Sequence, residues 1–426
     1  MNSAPQTTLF ALGRAFQCRR LRAAGLAAAA DELETRPLDR LDQALMLFCD
    51  HAHDVLARGK PKVALAFSAA DTGTSASNGA PVPEAPETPG RHGQPIHPPE
   101  QQLPHEEKDQ DFIEKYPSFQ LSRFLGRGQA GTVFLGENDE GQPIFAIKAI
   151  HLPVAVGIGL PIRRTFLLYQ KVLRVIDHPH VNPYLGWTVV ENEGQVYTAF
   201  CNGGTMRKYI YADEANPGLR DMALVRRWLA QIVSALAYLH DHGLVHRDIK
   251  PGNLLLHNGE CRIADLGSAR VLQSCCDDSH QRKMSGTPSY AAPEAVAGKI
   301  VFETAGEDIW GLGCCLYEMV MGRQPWHECD SIFSIYFEIG SRFEQAAAAR
   351  NAARSGAAAD AESPSLEDPV AAALRRGEHP LVREVAESGV LGDDGLDFLG
   401  ACLEWHPRDR PTARELLAMP FLRDVL

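Results

Sequence analysis

Paired metal-ligand spacing is missing from this 426-residue chain: its ten cysteines are scattered or adjacent, as at Cys275–Cys276 and Cys314–Cys315, with no CxxC pair and no matched Cys/His spacing. That pattern excludes a zinc finger or ribbon and a disulfide framework, and it fits a reducing, cytoplasmic compartment. No uninterrupted run of about 18 apolar residues occurs, so no membrane span is expected. Positive charge is also in short supply. Forty-two Lys and Arg stand against 54 Asp and Glu, a net charge of −12, which argues against a chain that grips a nucleic-acid backbone. What is present is ordinary for a globular protein, 45% hydrophobic and 23% charged. Those proportions exclude a disordered chain, a collagen-like fibre and a pure coiled coil. The length suits one large two-part domain with extensions.

Residues 1–70 read as an N-terminal helical region, a docking or targeting segment. Arg14, Arg19, Arg20 and Arg22 precede the first acid, Asp31, which fits either a mitochondrial presequence or one helix of a small hairpin. A clearer helix follows, with Leu38, Leu41, Leu45, Phe48, Ala52, Val55 and Leu56 on one stripe. His51 and His53 lie in it two residues apart, off a common face, and so make a poor metal site. Residues 71–115 read as a disordered linker, with eight prolines between Pro81 and Pro104 and too little apolar surface to offset ordering entropy. The stretch 119–422 carries the remaining patterns: short apolar runs bounded by glycine from Phe119 to Phe134, a strand-like run Phe145–Ile150, then helical spacing at Val225, Leu229, Ile232, Leu236 and Leu239. Strands before helices imply a sheet-bearing lobe followed by a larger helical one. An Ala-rich, low-complexity insertion interrupts it at about 341–376, compatible with a loose helix and expected to be solvated rather than a dedicated docking element.

Chemistry concentrates at four places. Gly126-Arg127-Gly128-Gln129-Ala130-Gly131, followed by Thr132 and Val133, lets backbone N–H groups approach phosphate oxygens, or is simply a glycine-rich hairpin. A strand follows it where a dinucleotide-binding motif would continue into a helix, so that reading fails. Lys148, in the apolar strand Phe145-Ala146-Ile147-Lys148, needs an anion or an exit to solvent for its charge. In His246-Arg247-Asp248-Ile249-Lys250-Pro251-Gly252-Asn253, Asp248 can take a hydroxyl proton, Lys250 can neutralise a phosphoryl group and Asn253 can offer oxygen to a divalent cation. Asp265, opening Asp265-Leu266-Gly267, is a hard oxygen ligand suited to Mg²⁺. In this order they are the parts of a phosphoryl-transfer site.

With these residues in place the chain resembles the eukaryotic protein kinases. Gly286-Thr287-Pro288-Ser289-Tyr290-Ala291-Ala292-Pro293-Glu294, Asp308-Ile309-Trp310-Gly311-Leu312-Gly313 and Arg408-Asp409-Arg410-Pro411-Thr412 resemble further kinase motifs, the last carrying an arginine that pairs with Glu294. The resemblance implies an α+β, two-lobed kinase fold: a small antiparallel-sheet lobe with one main helix and a larger, mainly helical lobe. It implies ATP and Mg²⁺, with Gly126, Gly128 and Gly131 over the phosphates and Lys148 on the α- and β-phosphates. Leu125, Val133, Ala146 and Leu255 would enclose adenine, with Thr198 as gatekeeper and Ala199 to Cys201 as hinge. Asp248 would be the catalytic base, Lys250 its helper, and Asn253 with Asp265 the metal ligands. Lys250 and Thr287 follow the pattern of kinases acting on Ser and Thr. Tyr184-Leu185-Gly186-Trp187, Gly203-Gly204-Thr205-Met206 and Gly286 to Tyr290 are similar to the Ste-type group, and within it to MAP kinase kinase kinases. The expected partners are protein substrates, a MAP kinase kinase among them, and an upstream activator. The alternative is a nucleotide-binding pseudokinase scaffold.

Two departures qualify the resemblance, and the activation segment raises a further expectation. Gln170 stands where kinases carry the glutamate that pairs with the strand lysine, and no acid occurs between Lys148 and Asp177. Leu266 replaces the usual phenylalanine, a mild change. Arg247 is expected to need a phosphate from the activation segment, with Ser279 or Ser285 favoured over Ser274, and Thr287 reserved for substrate. Cys275–Cys276 in that segment could serve as a redox switch.

Overall fold

The computed structural model describes residues 106–128, 131–151, 170, 172–190, 193–271, 287–297, 305–356 and 379–425. The expected N-terminal helices, His51 and His53, Gln129, Ala130, Ser274, Cys275–Cys276, Ser279 and Ser285 lie outside them, as do most of the linker and the insertion beyond residue 356.

The small lobe begins earlier than expected. Strand β1 (Glu106–Lys108) and helix α1 (Gln110–Lys115) fall in the segment read as the end of the linker. Asp109 caps the helix by accepting the Phe112 N–H. Phe112, only 2% exposed, stacks on Tyr197 and meets Phe145, so burial of one aromatic ring orders a segment whose composition is otherwise that of a linker.

Beyond it come β2 (Gln120–Gly128), β3 (Gly131–Glu137), β4 (Pro143–His151), β5 (Tyr184–Val190) and β6 (Glu193–Ala199). With β1 they form one antiparallel sheet in the order β1-β5-β6-β4-β3-β2. Register decides its two faces. Val133 lies opposite Lys148, Leu135 opposite Ala146, and Ala146 opposite Thr198, so these side chains share one face. The alternate residues Phe145, Ile147 and Tyr197 form the aromatic core with Phe112 on the other.

The large lobe is mainly helical. It opens with β7 (Gly204–Thr205) and α2 (Met206–Ile210), followed by the central helix α3 (Met222–Asp241), capped by Asp221. Among the described residues α3 alone is long and apolar enough to cross a bilayer. Val225, Leu229, Ile232, Leu236 and Leu239 are fully buried in the lobe's own core, which is why it is apolar. Strands β8 (Leu244–Val245), β9 (Leu254–His257), β10 (Glu260–Ile263) and β11 (Arg270–Val271) carry the loops between α3 and the next helices. Then follow α4 (Pro293–Val296), α5 (Gly306–Met321), α6 (Ile332–Gly356), α7 (Pro380–Ser388), α8 (Asp393–Cys402) and α9 (Ala413–Ala418). Residues 341–356, the first part of the expected insertion, continue α6 as regular helix. Alanine's helix propensity favours this outcome, and the segment is tied down by buried Phe343 and an Arg350–Asp409 ion pair.

Candidate active site: one carboxylate held from two segments

The site forms where the β4 face meets the loops around β9 and β10. The loop Val245–Asn253 follows α3 and is fixed from below by α5. Two consecutive residues, His246 and Arg247, donate their N–H groups to the Asp308 carboxylate at 2.8 and 2.7 Å, and His240 reaches the same carboxylate at 2.8 Å. Burial alone would raise the Asp308 carboxyl. The hydrogen bond and charge of His240 outweigh it, aided by His246 and the Arg247 N–H, and hold it below the usual range. Arg247 needs this anchorage, since its φ of 68° lies in the left-handed region that residues with side chains seldom occupy.

His246, completely buried, accepts the Asp248 N–H at Nδ1 (3.2 Å) and so donates from Nε2 to the Ala264 carbonyl (3.0 Å). One imidazole thereby links the loop to the residue before Asp265. Asp248 itself is buried yet richly bonded. Lys250 Nζ donates to its Oδ2 at 2.6 Å and Asn253 Nδ2 at 2.9 Å, while the Thr287 N–H and hydroxyl reach Oδ1 at 3.1 and 3.2 Å. Lys250 also donates to the Thr287 hydroxyl at 2.6 Å. Residues 37 and 39 positions apart in sequence thus converge on one carboxylate.

Across from it, Lys148 Nζ meets Asp265 Oδ1 at 2.5 Å. Asp265 adopts φ 63°, and its Oδ1 also accepts the Gly267 N–H at 3.3 Å. Burial would raise this carboxyl too, but the Lys148 charge and hydrogen bond, with smaller help from His246 and Gly267, keep it below its ordinary value. Gln170 is 2% exposed, and its Oε1 has no hydrogen-bond partner among the described residues. Lys148 takes its counter-charge from Asp265.

The glycines separate into two kinds. A Cβ on Gly131 would run into the Ala149 carbonyl, so packing requires glycine there. Among the described residues no atom lies within 4 Å of that position at Gly126, and at Gly128 only the Gly131 carbonyl does. The described residues leave space beside them, as a phosphate cradle needs. Leu125, Thr132, Val133, Ala146, Thr198, Ala199 and Leu255 are exposed or half-buried, whereas Cys201 is buried, its thiol donating to Asn182 at 3.2 Å. Farther back, Arg410, fully buried, binds Glu294 through two parallel bonds of 2.7 and 2.8 Å and stands over the Trp310 ring.

The protein kinase domain pattern matches residues 119–422. The chain belongs to the protein kinase domain family. It is similar to the MAP kinase kinase kinase wis4 of Schizosaccharomyces pombe, at 27% identity over 74% of this chain and 21% of that protein. It is also similar to mitogen-activated protein kinase kinase kinase 3 of Arabidopsis thaliana (28%, covering 73% of this chain and 43% of the relative). A third relative is the serine/threonine-protein kinase BCK1/SLK1/SSP31 of Saccharomyces cerevisiae (32%, covering 70% and 18%). The chain thus spans less than half the length of these relatives.

A protein kinase domain uses ATP as its phosphoryl donor and Mg²⁺ as its usual metal ion, and the donor set here fits both. Asn253 commits its Nδ2 to Asp248, which leaves its carbonyl oxygen for a cation. Asp265 uses Oδ1 toward Lys148 and Gly267, which leaves Oδ2. Hard oxygens of this kind suit Mg²⁺. Sequence reasoning missed Glu307, the residue before Asp308. Its only signal was a pair of acids opening a helix, which macrodipole stabilisation would also explain.

Proposed function

We propose that this protein is a serine/threonine kinase that moves the γ-phosphoryl group of ATP to a protein hydroxyl. One observation carries the reading: the Asp248 carboxylate is held at once by Lys250, Asn253 and Thr287. Such a group is oriented to accept a hydroxyl proton as the substrate oxygen attacks phosphorus and the bond to the ADP oxygen breaks. Lys250, bonded to both Asp248 and Thr287, places positive charge beside the acceptor hydroxyl. Lys148 turns from Asp265 to the α- and β-phosphates, while Gly126 and Gly128 leave room for the backbone to cover them. Mg²⁺, when held by Asn253 and Asp265, supplies charge neutralisation between the phosphates. Thr287, bridged to Lys250, supports Ser and Thr as acceptors. A scaffold that only holds nucleotide has no need of this arrangement.

The names of the relatives support a MAP kinase kinase as the substrate and a place in a phosphorylation cascade. On the free thiols of the described cysteines we place the protein in the cytoplasm. Recovery of the tagged chain with mitochondria would move that assignment to the Arg-rich amino terminus. The deciding assay is transfer from labelled MgATP to a generic basic protein and to a catalytically dead MAP kinase kinase. Asp248→Asn is expected to lower transfer at least about 100-fold. Equal transfer from the wild type and the variant would remove Asp248 from the mechanism.

A further inference from the structure

Arg247 poses an electrostatic question that the catalytic residues do not answer. Its side chain is 6% exposed and lies next to Asp248 in the loop. A guanidinium so placed needs a counter-charge, or the loop it belongs to is destabilised. Kinase activation segments can supply one by phosphorylation, through new contacts between arginine and the phosphate. Ser279 and Ser285 are the sequence's candidates for that modification.

The structure supplies a different anion. Arg247 Nε donates to Glu307 Oε2 at 3.2 Å, and the Glu307 side chain is itself 7% exposed. Glu307 stands in the first turn of α5, immediately before the Asp308 that accepts the backbone N–H groups of His246 and Arg247. Two consecutive carboxylates therefore divide the work. Asp308 fixes the loop backbone through its left-handed residue, and Glu307 neutralises the side chain of that same residue. The helix N-terminus favours acids at both positions. A phosphate brought to this guanidinium would add nearly two negative charges beside a carboxylate already in place, and like-charge repulsion opposes that arrangement.

We propose that Glu307 is a built-in counter-charge to Arg247, a positioning residue that stands in for an activation-segment phosphate. The catalytic loop is then held in its working form by the chain alone, and turnover does not depend on phosphorylation of Ser274, Ser279 or Ser285. This rests on the reading of Asp248 as the proton acceptor.

The full chain is compared in three forms: as purified, after treatment with a protein phosphatase, and as the Ser274→Ala/Ser279→Ala/Ser285→Ala variant. All three are expected to transfer phosphate within about twofold of one another. A loss of tenfold or more on dephosphorylation, restored by rephosphorylation, overturns the proposal while leaving the kinase reading intact. Glu307→Gln is expected to lower kcat about tenfold with the KM for ATP moved less than twofold. Adding Arg247→Gln to it should recover activity above that of the single variant, because both charges are then gone. Losses that simply multiply would show that Glu307 acts independently of Arg247, and the proposal falls. The wild type, Glu307→Gln, Arg247→Gln and the double variant are also unfolded in denaturant, a readout that needs no activity. If no form transfers phosphate, the kinase reading fails, and non-additive unfolding equilibria alone retain the pair while additive ones reject it.

Discussion

The two lobes treat charge differently. In the large lobe the buried ions find partners close at hand: Arg410 on Glu294, Arg247 on Glu307, and Asp308 among His240 and two backbone N–H groups. In the small lobe Lys148 borrows its partner from the other side of the cleft, while the amide oxygen of Gln170 has no bond among the described residues. The large lobe is thus a pre-set base whose geometry does not wait for ligand. The small lobe's lysine has its partner across the cleft, and on the proposed reading its transfer to nucleotide phosphates would give up that contact.

The strongest way to break this comparison is to strip the large lobe of one partner. Arg410→Met leaves Glu294 buried with no counter-charge, and about 3–5 kcal/mol of stability is expected to go, read from denaturant midpoints. A loss below about 1 kcal/mol would show that the lobe's charges are not what holds it.

A smaller effect tests the same lobe by pH. His379 is buried among Trp310, Trp326 and Trp405, and burial, reinforced by the charges of Arg342 and Arg410, pulls its pKa from 6.5 down to about 3. The unfolded chain takes up this proton near pH 6.5 and the folded chain only near 3. The stability it contributes is therefore full above pH 6.5 and is lost as pH falls between those values, about 2 kcal/mol by pH 5. His379→Phe should flatten that limb of the stability profile, and an unchanged limb would assign it to other groups.

The smallest effect sharpens the small-lobe side. Gln170→Glu puts a carboxylate at the position where the sequence reading expects the partner of Lys148, and a charged hydrogen bond exceeds a neutral one by about 1 kcal/mol. A rise in kcat of up to about fivefold is expected, with the KM for ATP little changed. An unaltered rate would mean that the loan to Asp265 already suffices.

Much of the site was legible because each motif packs its chemistry into a few consecutive residues. Asp248, Lys250 and Asn253 lie within six positions, and their spacing alone brings them onto one carboxylate. What could not be read was settled at a distance. Phe112 sits among Glu106, Glu107, Asp109 and Asp111, as a linker residue would; its burial depends on Gly186, where any side chain would overlap the Phe112 ring. The role of Glu307 depends on Arg247, sixty positions earlier. The Ala-rich half of α6 carries no apolar stripe of its own, and its place is set by contacts such as Arg350 with Asp409.

The clasp between Glu294 and Arg410 joins residues 116 positions apart, and this has a consequence for the newborn chain. At about 5–20 residues per second, Arg410 is polymerised roughly ten to thirty seconds after Asp248. Through that interval the Asp248 loop exists without the buried cation that pairs with Glu294. Glu294 therefore waits for its counter-charge until synthesis has passed Arg410, and the buried pair can form only then.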